Sequence, residues 1–235
     1  IGGQGGNVDL TGGINVTGTV KATTVDSTAT AILINKGSTV KRISNSGTIS
    51  ATISSPGEGK VYAIRDLSGS LKTIQNTGHI IAKGSSEDVR QAIALANNTS
   101  GVTITQSLSK ANSDARKKKE KDGKKDTTVY TSIVGDIVTG SGNDRLAASA
   151  GQIKGDSYFN AGDDTLALSG DAAYFGTVNF GTGKGTMTMT DKSTFTGTLD
   201  AVGEMVNLTL SGKAKYLGTV RNGSKLAVTV NGGIF

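Results

Sequence analysis

Five glycines, Gly142, Gly162, Gly183, Gly203 and Gly223, recur at intervals of twenty, twenty-one, twenty and twenty positions. This regularity restricts the possible folds more than any other property of the chain. Cut at those glycines, the second half superposes on itself. Leu166, Met187 and Leu208 share one column, and Leu168, Met189 and Leu210 share the next inward one. Tyr174, Phe195 and Tyr216 recur every twenty-one positions, as do Gly176, Gly197 and Gly218, and Val178, Leu199 and Val220. The first half carries a related repeat with a longer period, about thirty positions. Its tag [ST]-G-x-[VI]-x-A occurs at 17–22, 46–51 and 77–82, and again at 196–201 as TGTLDA, with Leu199 in the [VI] place. Around the tag, residues 31–51 match 63–82, and a partial third copy starts at Ala92-Ile93 and reaches Val102 and Ile104.

Each unit holds short stretches such as TLALS, TMTMT, NLTLS and AVTV. Their period of two places alternate residues on one side, as in a strand. A single unit buries little, but stacked units bury a continuous core, each strand pairing in parallel with its copy one turn away. The fold class expected is all-β, a right-handed parallel β-helix (β-solenoid) with about 20–30 residues per rung. About nine to eleven rungs at 4.7–4.9 Å each give a rod of roughly 45–55 Å. Tyr174, Phe195 and Tyr216 are then an aromatic ladder. Thirty-four glycines suit the corners, and a single Pro suits strands that all need their N–H for pairing. A β-sandwich does not require one residue type at so fixed an interval, a propeller blade needs about 40–50 residues, and the L-x-x-L-x-L-x-x-N core of leucine-rich repeats is missing. The stretch 86–98 has local helical character, but Ala92-Ile93 aligns with Ala31-Ile32 and Ala63-Ile64, so a strand is expected there.

The absence of Cys excludes a disulfide framework and a Cys zinc site. No apolar run approaches the roughly 18–20 residues of a membrane helix. The chain opens at Ile1-Gly2-Gly3 without Met, which reads as a mature or trimmed fragment. Charge is concentrated. The segment 114–126 holds seven of the 25 basic residues and four of the 19 acidic ones, half of the net +6. The high pI is thus half a property of one segment, and no specific nucleic-acid partner is expected. Residues 106–128 read as a solvated, mobile insertion. It divides rungs with longer turns (1–105) from the shorter, regular rungs (129–235), all in one continuous solenoid. Lys117, Lys118, Lys119, Lys121, Lys124 and Lys125 are its candidate interaction residues, an arm for acidic glycans, anionic lipopolysaccharide or extracellular DNA. No aromatic residue interleaves them to stack bases.

The cassettes I-x-N-[ST]-G-x-I at 43–49 and 74–80, the junction 134–156, the run 161–199 and the ending KLAVTVNGGIF resemble passenger domains of Gram-negative autotransporters, the type V secretion family. The resemblance covers roughly 14–105 and 130–235. It implies a β-helix exported through the periplasm, tethered to an outer-membrane barrel and displayed at the cell surface or secreted. There it serves as an adhesin, a self-association surface or a stalk in virulence or biofilm formation. Its partners would be host or neighbouring-cell surfaces, glycans or extracellular matrix. The alternatives are a polysaccharide lyase or hydrolase and a calcium-stabilised surface protein.

No catalytic residue and no cofactor is assigned. His79, the single histidine, occupies a position where Thr19 and Thr48 stand in the other copies, so an outward site is expected. Gly155-Asp156-Ser157 matches the nucleophile block of GDSL-type esterases, yet no histidine base follows it. Asp163 and Asp164 read as a corner with diverging side chains, while Asp144, Asp156 and Asp164 are carboxylates that neighbouring rungs bring close, as glycosidase chemistry needs. GSGNDRL (140–146) and NAGDDTL (160–166) are similar to single calcium-binding nonapeptides, which makes Asp144 and Asp164 the candidate calcium ligands. Copies a whole rung apart do not bracket an ion as tandem nonapeptides do, and Gly185 replaces the Asp in the next rung.

Overall fold

The structure is a computed structural model describing residues 1–3, 6–54, 59–84, 89–123, 126 and 128–235. It is a parallel β-helix. In the first sheet, Ile14–Val16, Arg42–Asn45, Thr73–Asn76, Thr103–Gln106, Arg145–Ala148, Asp164–Leu168, Lys184–Met189 and Met205–Arg221 pair in order, each with its copy one rung away, and Leu226–Ile234 closes the series. Among the described residues that makes nine rungs, or roughly 40 Å of rod. A second sheet starts at Thr19–Thr24 and Thr48–Ile53, and a third at Ala29–Ile34 and Lys60–Asp66. The stretch read as a strand despite its helical character is one, Val89–Ala94, in the third sheet.

Columns of like residues fill the interior. Val20, Ile49, Ile80, Ile133 and Ile153 lie in one register, which Tyr174, Phe195 and Tyr216 then continue. The three rings stack with centroids 5.4 and 5.0 Å apart, and Phe235 adds a fourth at 5.0 Å. The register read from the repeat and the ladder inferred from it are as expected. In the third sheet the facing column runs Ile64, Ile93, Ile137, Ser157, Val178 and Leu199. Ser157 is the small member, and the Tyr174 hydroxyl donates to its Oγ at 2.8 Å. The larger ring of Tyr174 is thus offset by a smaller residue across the core.

One interior column of the first sheet is polar. Asn45 Nδ2 donates to Asn76 Oδ1 at 2.9 Å, and Asn76 Nδ2 donates to Gln106 Oε1 at 3.2 Å. Gln106 Nε2 donates to the Ala150 carbonyl at 3.0 Å and ends the ladder. All three amides are buried, and the column supplies partners for their polar atoms apart from Asn45 Oδ1, which has none among the described residues. From Ala148 onward the column is apolar, through Leu168, Met189 and Leu210.

The insertion differs from its sequence reading, which gave no helix. Lys110–Lys121 is an α-helix, α1, with Ser109 as N-cap accepting from the Asn112 N–H at 3.2 Å. Ala, Lys, Arg and Glu are good helix formers. Lys110–Asp114 and Arg116–Glu120 pair at i,i+4, and Lys118, Lys119 and Lys121 complement the dipole in the last turn. The helix buries none of its own residues. Arg116 anchors it to the rod through Asp171 at 2.5 Å.

Candidate functional site

Asp144 and Asp164, the candidate calcium ligands, sit in adjacent rungs inside the rod, 2% and 1% exposed. Asp164 Oδ1 accepts the Asp144 N–H at 2.7 Å, and Asp144 Oδ1 accepts the Val102 N–H at 2.7 Å. Each carboxylate therefore caps a backbone donor of the preceding rung. The Oδ2 of each is buried without a hydrogen-bond partner among the described residues. Burial, with the charges of Asp144 and Asp163 added, pushes the Asp164 carboxyl up to about 7, and burial also raises Asp144. Gly185 continues this column because the Phe180 ring occupies the space: a Cβ there would lie 2.5 Å from it. Among the described residues no three His, Cys, Asp or Glu side chains converge as a metal site.

Asp163 and Asp164 do diverge, the first exposed and the second buried. Asp163 Oδ1 accepts the Lys184 N–H at 3.1 Å, and Asn143 Oδ1 accepts the Asp163 N–H at 2.9 Å. Asp156 belongs to a separate ladder at another corner. Asp136 Oδ1 accepts the Asp156 N–H at 2.9 Å, and Asp156 Oδ1 accepts the Thr177 N–H at 2.6 Å. The acidic residues singled out in the sequence thus stitch one rung to the next at different corners. Sequence reasoning misses these ladders, since Asx residues near Gly read equally well as turn formers.

His79 lies in the outward column between Thr48 and Ser132, as its repeat position indicates. Its Nδ1 is 2.9 Å from Ser132 Oγ. Ser157 is 1% exposed and points at Tyr174. On α1, Lys119 turns inward to Asp126 at 2.9 Å, whereas Lys117, Lys118 and Lys121 are exposed. Lys124 and Lys125 lie outside the described residues.

The outer surface is as repetitive as the core. Thr165, Thr186 and Asn207 share one outward column of the first sheet, and Thr188, Thr209 and Thr229 share another. Thr177, Thr198 and Thr219 form a third in the neighbouring strands, with Thr198 and Thr219 hydroxyls 3.1 Å apart. Comparison with known proteins yields no matching family model, no matching curated protein and no matching solved structure.

Proposed function

We propose that this chain is a surface-displayed rod of the autotransporter-passenger kind, exported through the periplasm, whose sides adhere to neighbouring cells, matrix or other copies of itself. The observation that carries the reading is the register of the outward polar columns. Thr165, Thr186 and Asn207, and Thr188, Thr209 and Thr229, offer a hydrogen-bonding group once per rung. Contacts of that kind are individually weak and add through multivalency. The aspartates singled out as catalytic or calcium candidates are committed to backbone N–H groups inside or along the corners, a structural use. A parallel β-solenoid is compatible with adhesive and stalk roles alike.

Display on a bacterial surface tests the reading through cell–cell aggregation. Replacing the hydroxyl residues of a whole outward column pair with Lys is expected to abolish clumping, while any single replacement leaves it intact. One point variant that stops aggregation with its fold preserved would replace the distributed face by a discrete site.

A further inference from the structure

The rungs change width at one bend, and the change leaves a ledge. In the first rungs the second- and third-sheet strands are several residues apart in the chain, and a small separate core of Ala29, Ala51, Ile53, Val61 and Ala82 lies between them. In the next rung Gly135 alone joins Ser132–Val134 to Asp136–Val138. A Cβ on Gly135 would lie 3.0 Å from the Ala82 methyl and 2.9 Å from the Arg90 carbonyl, so the narrow rung is drawn tight beneath the broad one. The overhang is a cleft of about 310 Å³, within the range of small-ligand sites.

Three exposed cations from three strands line it. Lys83 ends His79–Lys83, Arg90 lies in Val89–Ala94 and Lys154 ends Gln152–Lys154. None of them forms a salt bridge with a described residue. The carboxyl on the floor, Asp136, spends Oδ1 on the Asp156 N–H. Burial and the neighbouring charge of Asp156 raise its pKa, against the hydrogen bond from the Asp156 N–H and the charge of Arg90. One rung beyond Lys154, in the same outward column, stands Phe175, 37% exposed, its ring centroid 5.7 Å from Lys154 Nζ. A cationic cleft beside an exposed aromatic face is suited to a ring that carries negative charge on one edge and C–H groups on its face.

We propose that this cleft binds an acidic sugar residue, its carboxylate or sulfate held by Lys83, Arg90 and Lys154 and its ring laid against Phe175. The proposal rests on the adhesive reading and names the ligand class for one place on the rod. Arg90 brings the planar fork that matches a carboxylate or sulfate edge, and the concave wall concentrates the field of the three charges.

Calorimetric titration of the whole chain tests it, with trigalacturonate, a sulfated heparin tetrasaccharide, neutral maltotetraose, inorganic sulfate and a short DNA strand as probes. At least one acidic oligosaccharide is expected to bind, and maltotetraose is not. Arg90→Gln with Lys154→Gln is expected to weaken acidic-sugar binding by about tenfold or more, as loss of charge-assisted contacts implies. Asp136→Asn is expected to strengthen it, while Lys117→Gln, Lys118→Gln and Lys121→Gln together leave it unchanged. Phe175→Ala is expected to weaken the oligosaccharide and leave sulfate unaffected. All these side chains except Asp136 are exposed, and circular dichroism checks each fold. The proposal is overturned if neither acidic oligosaccharide binds, if the Arg90/Lys154 variant binds as the parent does, or if DNA binds more tightly than both sugars at the same cleft. Clumping by displayed cells without oligosaccharide binding would remove the cleft and keep the adhesive rod. Binding without clumping or adhesion would do the reverse.

Discussion

In the rungs before α1 the second-sheet column is aliphatic, with Val20, Ile49 and Ile80, and the first-sheet column carries the amides Asn45, Asn76 and Gln106. In the later rungs the same two columns read Tyr174, Phe195 and Tyr216, and Leu168, Met189 and Leu210. The early rungs carry a satellite core of their own between the second and third sheets. The later ones close their bends tightly, as at Gly135 and Gly155, and have only the central interior to fill. A column in a solenoid accepts almost any residue type, provided that its members agree with one another and that the facing column adjusts its volume. Agreement lets amides satisfy amides and rings stack on rings. Adjustment explains Ser157 opposite Tyr174 and Gly185 beneath Phe180.

The sharpest way to break this contrast is to empty each column at its middle. Phe195→Ala removes a ring stacked on both sides and is expected to cost about 4 kcal/mol, the range for a large buried aromatic. Asn76→Leu in the other half leaves Gln106 Oε1 and the Gly78 N–H without their partner and takes from Asn45 Nδ2 one of its two acceptors, the His79 carbonyl remaining. It is expected to cost about 3 kcal/mol, because unsatisfied buried groups cost about 1–3 kcal/mol each and some relax. Chemical denaturation measures both. Equal tolerance of Asn76→Leu and of an exposed substitution would mean that the amide ladder adds nothing to stability.

A double-mutant cycle asks whether the facing columns really exchange volume. Ser157→Ile alone drives a branched side chain against Tyr174 and is expected to cost about 2–3 kcal/mol. Tyr174→Ile alone leaves a cavity. Together they give the Ile–Ile combination of Ile153 and Ile137, which occupy the same two columns one rung earlier, so the double variant should be more stable than the sum of the singles by about 2 kcal/mol. Additive effects would show that Ser157 is small for some other reason.

The aspartate column gives a pH signature that belongs to the later rungs. Asp164 titrates near 7 in the fold, above its ordinary 3.8. A raised carboxyl favours the protonated fold, so the protein is expected to be most stable below about pH 4 with respect to this group and to lose stability as pH rises towards 7. Asp164→Asn retains an acceptor for the Asp144 N–H and cannot ionise. It should flatten that part of the profile and raise Tm at pH 8 by about 3 °C or more, given the usual conversion for a chain of this size. An unchanged Tm–pH curve in the variant would mean that the carboxyl is solvated in solution.

How far the sequence reaches depends on whether a signal repeats. The aromatic ladder and the strand at Val89–Ala94 follow from columns that recur. The amide ladder is half visible, since Asn45 and Asn76 share a cassette position, but Gln106 replaces Asn and stands at the edge of the insertion. Helix α1 has no apolar stripe and buries nothing, so periodicity has nothing to detect. The ledge beside Lys83, Arg90 and Lys154 comes from a difference in bend width between rungs, which a repeat alignment treats as a gap. The end of the aspartate column after Asp164 depends on Phe180 filling the space over Gly185, a contact between positions that no repeat pairs.

The smallest effect expected is at His79, and it tests whether a repeat position outweighs chemistry. His79 stands between Thr48 and Ser132 in an outward, half-buried column. Its ring reaches along that column, with Nδ1 2.9 Å from Ser132 Oγ. Ser132 is 6% exposed, and its backbone already pairs with the strand of His79. Thr is the residue that two copies of the repeat use at this place, it favours strands, and its hydroxyl can replace the imidazole nitrogen as partner for serine. His79→Thr is therefore expected to change stability by no more than about 0.5 kcal/mol, as for an ordinary surface substitution, and to leave aggregation by displayed cells unchanged. His79→Ala, which removes the hydrogen bond without replacing it, should cost about 1 kcal/mol. Loss of aggregation in His79→Thr with an unaltered denaturation curve would show that the imidazole itself meets a partner.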